Sequence, residues 1–266
     1  MEVISVGSSS SGNSYIIRAG GRAVILDVGL TARSINGALD ELGIAPDDVS
    51  AVLLTHEHVD HVRSVRAISR KCRNAVFYAS RGTIRKTPNF AYVPDERVCP
   101  VAAGEVIDID GLTVSTFPLS HDAAEPLGFT IEAEGCKAAV VTDTGIVTDE
   151  IFAAVCDADL LVFESNHDED MLMFGEYPYP VKVRIKSDHG HLSNVYAAEV
   201  LTRILEERAE RKAAEPLRIM LAHLSFNNNI PLFARQTVED ALSAAGFHRG
   251  TDYLLEVAAR EGLTSC

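Results

Sequence analysis

The stretch Thr55-His56-Glu57-His58-Val59-Asp60-His61, set directly behind the apolar run Ala51-Val52-Leu53-Leu54, constrains this chain more than any other feature. The apolar run reads as a buried strand, so three imidazoles and a carboxylate crowd its C-terminal end. Gathering them is costly unless something coordinates them, because protonated histidines repel and unpaired ones are desolvated. Neutral imidazole nitrogen and carboxylate oxygen suit zinc, and also manganese or iron. An extended tip aims His56 and His58 the same way. A turn into a helix then presents Asp60 and His61 to a neighbouring position, which predicts two adjacent metals rather than one. The plainer reading is a solvated polar loop, but histidine is scarce here, nine residues in the whole chain.

The pattern His-x-His-x-Asp-His after an apolar strand resembles the signature of the metallo-β-lactamase superfamily. Later strands carry single ligand-type residues at their C-terminal ends: His121 in Leu119–Asp122, Asp143 in Val141–Gly145 and His223 in Leu221–Ser225. Each alone reads as an ordinary loop residue. The resemblance implies that His56, His58 and His121 hold one metal, that Asp60, His61 and His223 hold the other, and that Asp143 bridges them. It also implies that Asp27, in Asp27-Val28-Gly29, supports the metal loop without being a ligand. A bridging carboxylate and a shared hydroxide fit metals about 3.5–4 Å apart.

Two further runs, Phe163-Glu164-Ser165-Asn166-His167-Asp168 and Asp188-His189-Gly190-His191-Leu192-Ser193-Asn194, resemble the phosphodiesterase branch of that superfamily, as in ribonuclease Z. The resemblance makes Glu164 and His191 a pair in which the histidine protonates the leaving oxygen or stabilises the phosphoryl transition state. Asp60 joins them as a catalytic carboxylate. His167 and His189 read more simply as structural histidines. Taken with Gly7–Asn13, Tyr177-Pro178 and Asn227–Asn229, these pieces resemble the YycJ/WalJ group over nearly the whole chain. That resemblance implies 5′-to-3′ exonuclease activity on double-stranded DNA, with DNA as the partner. Hydrolysis of a small ester, thioester, lactone or cyclic nucleotide on the same metals is the alternative, and a di-iron redox or metal-binding protein a more distant one.

Composition sharpens the choice. The net charge of −14 weighs against a polynucleotide substrate, since nucleic-acid binding normally rests on a basic surface. Two divalent ions would restore about +4 locally. Five widely spaced cysteines without a Cys-x-x-Cys suggest neither a disulfide framework nor a thiolate metal site. The N-terminus has no basic region followed by an apolar run, and no stretch approaches the roughly 18 apolar residues a membrane span requires. The expectation is a cytoplasmic protein without a membrane partner, monomeric or homodimeric.

Strands are expected at 3–6, 14–18, 23–29, 75–79, 106–109, 112–117, 128–133, 138–142, 159–163 and 217–220, and helices at 34–42, 62–73 and 195–205. Strands come in runs as well as alternating with helices. That favours an α/β (α+β) αββα sandwich of two mixed sheets with helices outside, over a doubly wound fold. With no repeat and no low-complexity linker, residues 1–266 read as one domain. Glu206–Glu215 reads as a charged helix tail or loop, exposed to solvent. Two readings remain for the loop holding Ser8, Ser9, Ser10, Ser11 and Asn13: a plain hairpin linker, or a nest for an anion. With Asn227 and Asn228 these residues are candidates for substrate contact. The arginines of 62–73 form either a solvated face or a phosphate contact.

Overall fold

The computed structural model describes residues 1–266. In chain order its elements are β1 (Glu2–Ser9), β2 (Gly12–Ala19), β3 (Arg22–Leu26), α1 (Ala32–Glu41), β4 (Val49–Leu53), α2 (Val59–Val62), α3 (Val65–Lys71), β5 (Val76–Ala79), α4 (Arg81–Lys86), β6 (Val98–Pro100), β7 (Val106–Ile109), β8 (Leu112–Pro118) and β9 (Leu127–Ala133). Then come β10 (Cys136–Val141), α5 (Asp149–Val155), β11 (Leu160–Glu164), α6 (Glu169–Phe174), α7 (Tyr179–Ile185), α8 (Asn194–Glu210), β12 (Leu217–Ala222), α9 (Pro231–Ala244), β13 (Tyr253–Val257) and β14 (Thr264–Ser265). The strands make two seven-stranded mixed sheets, the α/β class expected. No helix is long and apolar enough to cross a membrane.

The chain gathers into two compact units. One comprises Met1–Pro118, Ala123–Cys136 and Ala259–Ser265, the other Leu119–Asp122, Lys137–Ala258 and Cys266. In the first unit β14, β1, β2 and β3 pair antiparallel, and β3 to β6 continue in parallel. Its core packs Ile16, Ile25, Val52 and Phe77 against Ile35, Leu39, Val65 and Ile68 of α1 and α3. β7, β8 and β9 form an antiparallel meander. The β7–β8 turn is Asp110-Gly111 with φ of 52° and 89°, the doubly left-handed backbone that a two-residue hairpin demands.

In the second unit β10, β11, β12 and β13 are all parallel. Their sequences, such as Leu160-Leu161-Val162-Phe163, are unbroken apolar runs, the mark of parallel strands covered on both faces. Three of this unit's helices, α5, α6 and α8, begin where polar side chains cap them. Thr148 accepts from the Ile151 N–H, Asp168 from Met171 and Ser193 from Tyr196.

Three local expectations change. The predicted helix over 62–73 is broken at Ser64, whose N–H donates to the Val28 carbonyl and whose hydroxyl donates to Leu30, so tertiary bonds replace helical ones. The loop at 7–13 is mostly strand, with only Ser10 and Ser11 left as the turn between β1 and β2. The segment 206–210 is a helix tail extending α8, but it is not exposed throughout. Arg208 within it is buried, its guanidinium donating to the carbonyls of Ala158 and Glu215.

Candidate metal centre

Within the first unit, the chain leaves β4 and runs through Thr55–His58 into α2, and a single carboxylate organises this passage. Asp27 sits in left-handed backbone, φ 59°, just past the end of β3. Its side chain accepts from the Thr55 backbone N–H at 2.9 Å, from the Thr55 hydroxyl at 2.9 Å and from His61 Nδ1 at 2.7 Å. The Thr55 hydroxyl has one proton, and it goes to Asp27. Its oxygen therefore accepts from His56 Nδ1, 3.0 Å away. Both histidines are thus fixed in the tautomer that leaves Nε2 as the lone-pair atom, which is the orientation a metal ligand needs. The His56 ring lies 4.2 Å from the His61 ring and 4.5 Å from the His58 ring, and Asp60 Oδ2 is 3.5 Å from His61 Nε2. His56, His61, Asp27 and Thr55 are buried.

The second unit carries a second cluster on the ends of its parallel strands. Glu164 closes β11 and is fully buried. Its Oε1 accepts from Nδ1 of both His191 and His223 at 2.8 Å, while Oε2 accepts from the Thr144 backbone N–H at 3.0 Å. Burial alone would raise its pKa, but the two histidines override that and pull the carboxyl down to about 2. His121 turns its Nδ1 to the Gly190 carbonyl at 3.2 Å, and burial pushes its pKa down, keeping the ring neutral. Asp143, φ 62°, and His223, φ 58°, both use left-handed backbone to bring their side chains back over the strand ends. Non-glycine residues hold that conformation only where their surroundings enforce it, and they cluster at functional sites.

Asp143 Oδ1 lies 3.4 Å from His223 Nε2 and 3.7 Å from His121 Nε2. With Nδ1 protonated against Glu164 or Gly190, each Nε2 presents a lone pair to a carboxylate oxygen. Two acceptors face each other in a buried site, which a cation between them resolves. Ligand atoms each about 2.1 Å from a tetrahedral ion stand roughly 3.4 Å apart. The donor set therefore fits a divalent metal. Asp143, Glu164, His191 and His223 offer donor atoms all within 4.8 Å of one another.

The remaining residues singled out in the sequence divide between buried supports and exposed rim. Ser8, Ser9 and Asn13 are buried and bonded to one another, while Ser10 and Ser11 are exposed. Asn227 lies on the surface with its amide donating to the Tyr177 hydroxyl, and Asn228 is buried against Ser225. His167 is buried, its Nδ1 has no hydrogen-bond partner, and burial lowers its pKa to about 4. His189 is exposed and pairs with the Ser120 hydroxyl at 3.1 Å. Arg63 donates to the Ser11 carbonyl, and Arg66 lies over the Tyr92 ring. Sequence reading missed the supports of the second cluster. Asn166 donates to the His223 carbonyl at 2.8 Å, and the Gly190 carbonyl orients His121.

A metal-dependent hydrolase on two mixed α/β sheets is the class that this fold and donor set define. The family model of the beta-lactamase superfamily domain matches residues 22–211. The chain is 34% identical over 244 residues to exodeoxyribonuclease YycJ of Bacillus anthracis, covering 91% of this chain and 89% of that protein. It is 33% identical over 249 residues to exodeoxyribonuclease WalJ of Streptococcus pneumoniae, covering 92% and 90%. Among solved structures, Zn(2+)-bound PqqB from Methylobacterium extorquens shares the fold, with a TM-score of 0.71 at 20% identity over 100% of this chain and 99% of that one. The chain belongs to the metallo-β-lactamase superfamily, and its similarity to YycJ and WalJ spans nine-tenths of its length.

Proposed function

We propose that this chain is a phosphodiester hydrolase, a 5′-to-3′ DNA exonuclease of the cytoplasm, acting as one domain over residues 1–266 with two zinc ions. The observation that carries the reading is the Glu164 carboxylate. One oxygen atom of it fixes both His223, a metal donor, and His191, whose side chain is 12% exposed and so open to substrate. The names of the two relatives, both exodeoxyribonucleases, support DNA as the substrate.

His56, His58 and His121 would hold one ion, Asp60, His61 and His223 the other, with Asp143 shared between them; manganese or iron suits the same donors. Bound there, the ions supply Lewis-acid polarisation of phosphoryl oxygens and a hydroxide near neutral pH. His191 keeps its Nδ1 proton on Glu164 and offers the Nε2 proton to the departing oxygen, and the buried carboxylate beside it stabilises the imidazolium. Asp60 combines the roles of ligand and catalytic carboxylate. The exposed Ser10, Ser11 and Asn227 would meet the nucleic-acid backbone, and the buried Ser8, Ser9 and Asn228 would shape the loops that carry them.

The test is a metal-supplemented assay on 5′-end-labelled linear duplex DNA, run beside bis(p-nitrophenyl) phosphate and a panel of lactones and thioesters, with a His58→Ala control. Stepwise nucleotide release that vanishes in the control supports the exonuclease. The net charge of −14 favours a second reading, a hydrolase of small esters or cyclic phosphodiesters, and turnover of the small substrates alone would establish it.

A further inference from the structure

Asn13 lies wholly inside the first unit and is fully buried. Its amide orientation is fixed by the Ser9 backbone and the Ser8 hydroxyl. Oδ1 accepts from the Ser9 N–H at 3.2 Å and from the Ser8 hydroxyl at 2.8 Å, while Nδ2 donates to the Ser9 carbonyl at 2.9 Å. Exchanging oxygen and nitrogen would set donor against donor and acceptor against acceptor, so the assignment is secure. The second Nδ2 proton then faces His61 Nε2 at 3.2 Å. His61 Nδ1 is protonated against Asp27, so Nε2 is an acceptor, and Asn13 donates to it.

That bond is incompatible with metal ligation through the same nitrogen, because Nε2 has one lone pair in the ring plane. When His61 gives that pair to a cation, the buried Asn13 N–H loses its acceptor, at a point where the partly exposed Asp60 side chain also reaches His61. A buried donor left without a partner is costly, and its amide is pinned by Ser8 and Ser9. Oxygen atoms held beside His61 can satisfy it; Asp60 Oδ2, 3.5 Å from His61 Nε2, is itself a proposed ligand, which leaves an oxygen of the substrate. We infer that the Asn13 side-chain amide is a donor to an anionic phosphoryl oxygen of the substrate at the His61 end of the metal centre, stored against His61 Nε2 until that ring is engaged. An acceptor-only oxyanion suits the position, since a hydrogen bond to a charged oxygen is about twice as strong as a neutral one. The buried Ser8–Asn13–Tyr15 hydroxyl and amide chain, with Ser8 Oγ 2.8 Å from the Tyr15 hydroxyl, then serves to aim one N–H. This inference rests on the proposed ligation by His61, and its test separates the two.

In ¹⁵N-labelled full-length protein, the Asn13 amide pair is assigned by its disappearance in Asn13→Asp. Zinc is added first, then inorganic phosphate. On zinc, the His61 ring nitrogens and the Asn13 amide are expected to shift together; a His61 ring that does not respond overturns the ligation reading. On phosphate, the Asn13 amide proton is expected to move downfield, and phosphate affinity is expected to fall at least about tenfold in Asn13→Ala at unchanged zinc content. Ser8→Ala, which removes one of the bonds that aim the amide but keeps the donor, is expected to lose less affinity than Asn13→Ala. Equal phosphate affinity in Asn13→Ala and the parent, with the His61 response intact, overturns the inference, as does an amide proton that ignores phosphate. If Asn13→Ala does not fold, the proton shift in the parent protein still decides.

Discussion

At the residue scale, the two clusters work by withdrawing one nitrogen of each histidine from competition. Asp27, Thr55, Glu164 and the Gly190 carbonyl take the Nδ1 protons of His61, His56, His223 and His121, so the Nε2 atoms present lone pairs. His191 differs in being partly exposed, which separates its role from ligation. His191→Ala should keep the metal content of the parent and lose phosphodiester turnover by about 10²–10⁴-fold, the usual worth of a general acid. Metal analysis beside a kcat measurement checks this; turnover near the parent's would remove His191 from the chemistry. His167 sets a separate expectation for stability. Its folded pKa of about 4 lies below the ordinary histidine value of 6.5, so between those values the unfolded chain binds more protons. Stability is therefore fully present above pH 6.5 and falls as pH drops toward 4, by up to about 3 kcal/mol if no other group intervenes. Denaturant titrations of metal-free protein across this window should show a flatter profile for His167→Gln.

At the element scale, the junction of β3 with α2 holds the first cluster together. The Val28 N–H donates to the His61 carbonyl and the Ser64 N–H donates to the Val28 carbonyl, which clamps the short α2 against the strand end. Gly29 permits this approach, for a Cβ there would stand 1.5 Å from the Asp60 carbonyl oxygen. Backbone cannot yield by that amount without moving α2 and, with it, Asp60 and His61. Gly29→Ala is expected to reduce bound metal per chain together with the melting temperature, read by elemental analysis and calorimetry. Full metal content in the variant would show that the loop shifts as a body and keeps its donors.

At the scale of the whole molecule, charge sets the terms of binding. On the proposed reading, a chain of net −14 that meets DNA through a few rim groups and two cations would neutralise few phosphates. The logarithm of kcat/KM on duplex DNA against the logarithm of salt concentration should therefore have a slope shallower than about −4. A steep slope would reveal a basic track outside the residues named above. Bound metal should also stabilise the fold by mass action, since the unfolded chain offers no preformed site. Chelation is expected to lower the melting temperature, and zinc to restore it, the metal contributing about 2.7 kcal/mol of stability at a free concentration one hundred times the dissociation constant. A melting curve indifferent to chelator would argue that neither cluster holds an ion tightly.

The sequence by itself determined the metal-bearing stretch, because His56, His58, Asp60 and His61 sit close together behind one apolar strand, and local alternation is enough to gather them. It determined the class of fold for a related reason: apolar runs of strand length are visible without knowing their partners. Asp27, Glu164 and His191 were legible only through resemblance, being lone residues in ordinary surroundings. Tertiary structure alone decided the remainder. The break at Ser64 exists because Val28 and Leu30 compete for its hydrogen bonds. The orientation of His121 depends on a backbone carbonyl, which has no sequence signature, and the contact of Asn13 with His61 joins residues 48 positions apart. Which hydrogen bond each imidazole makes is a question of proximity between distant segments, and periodicity along the chain carries no information about it.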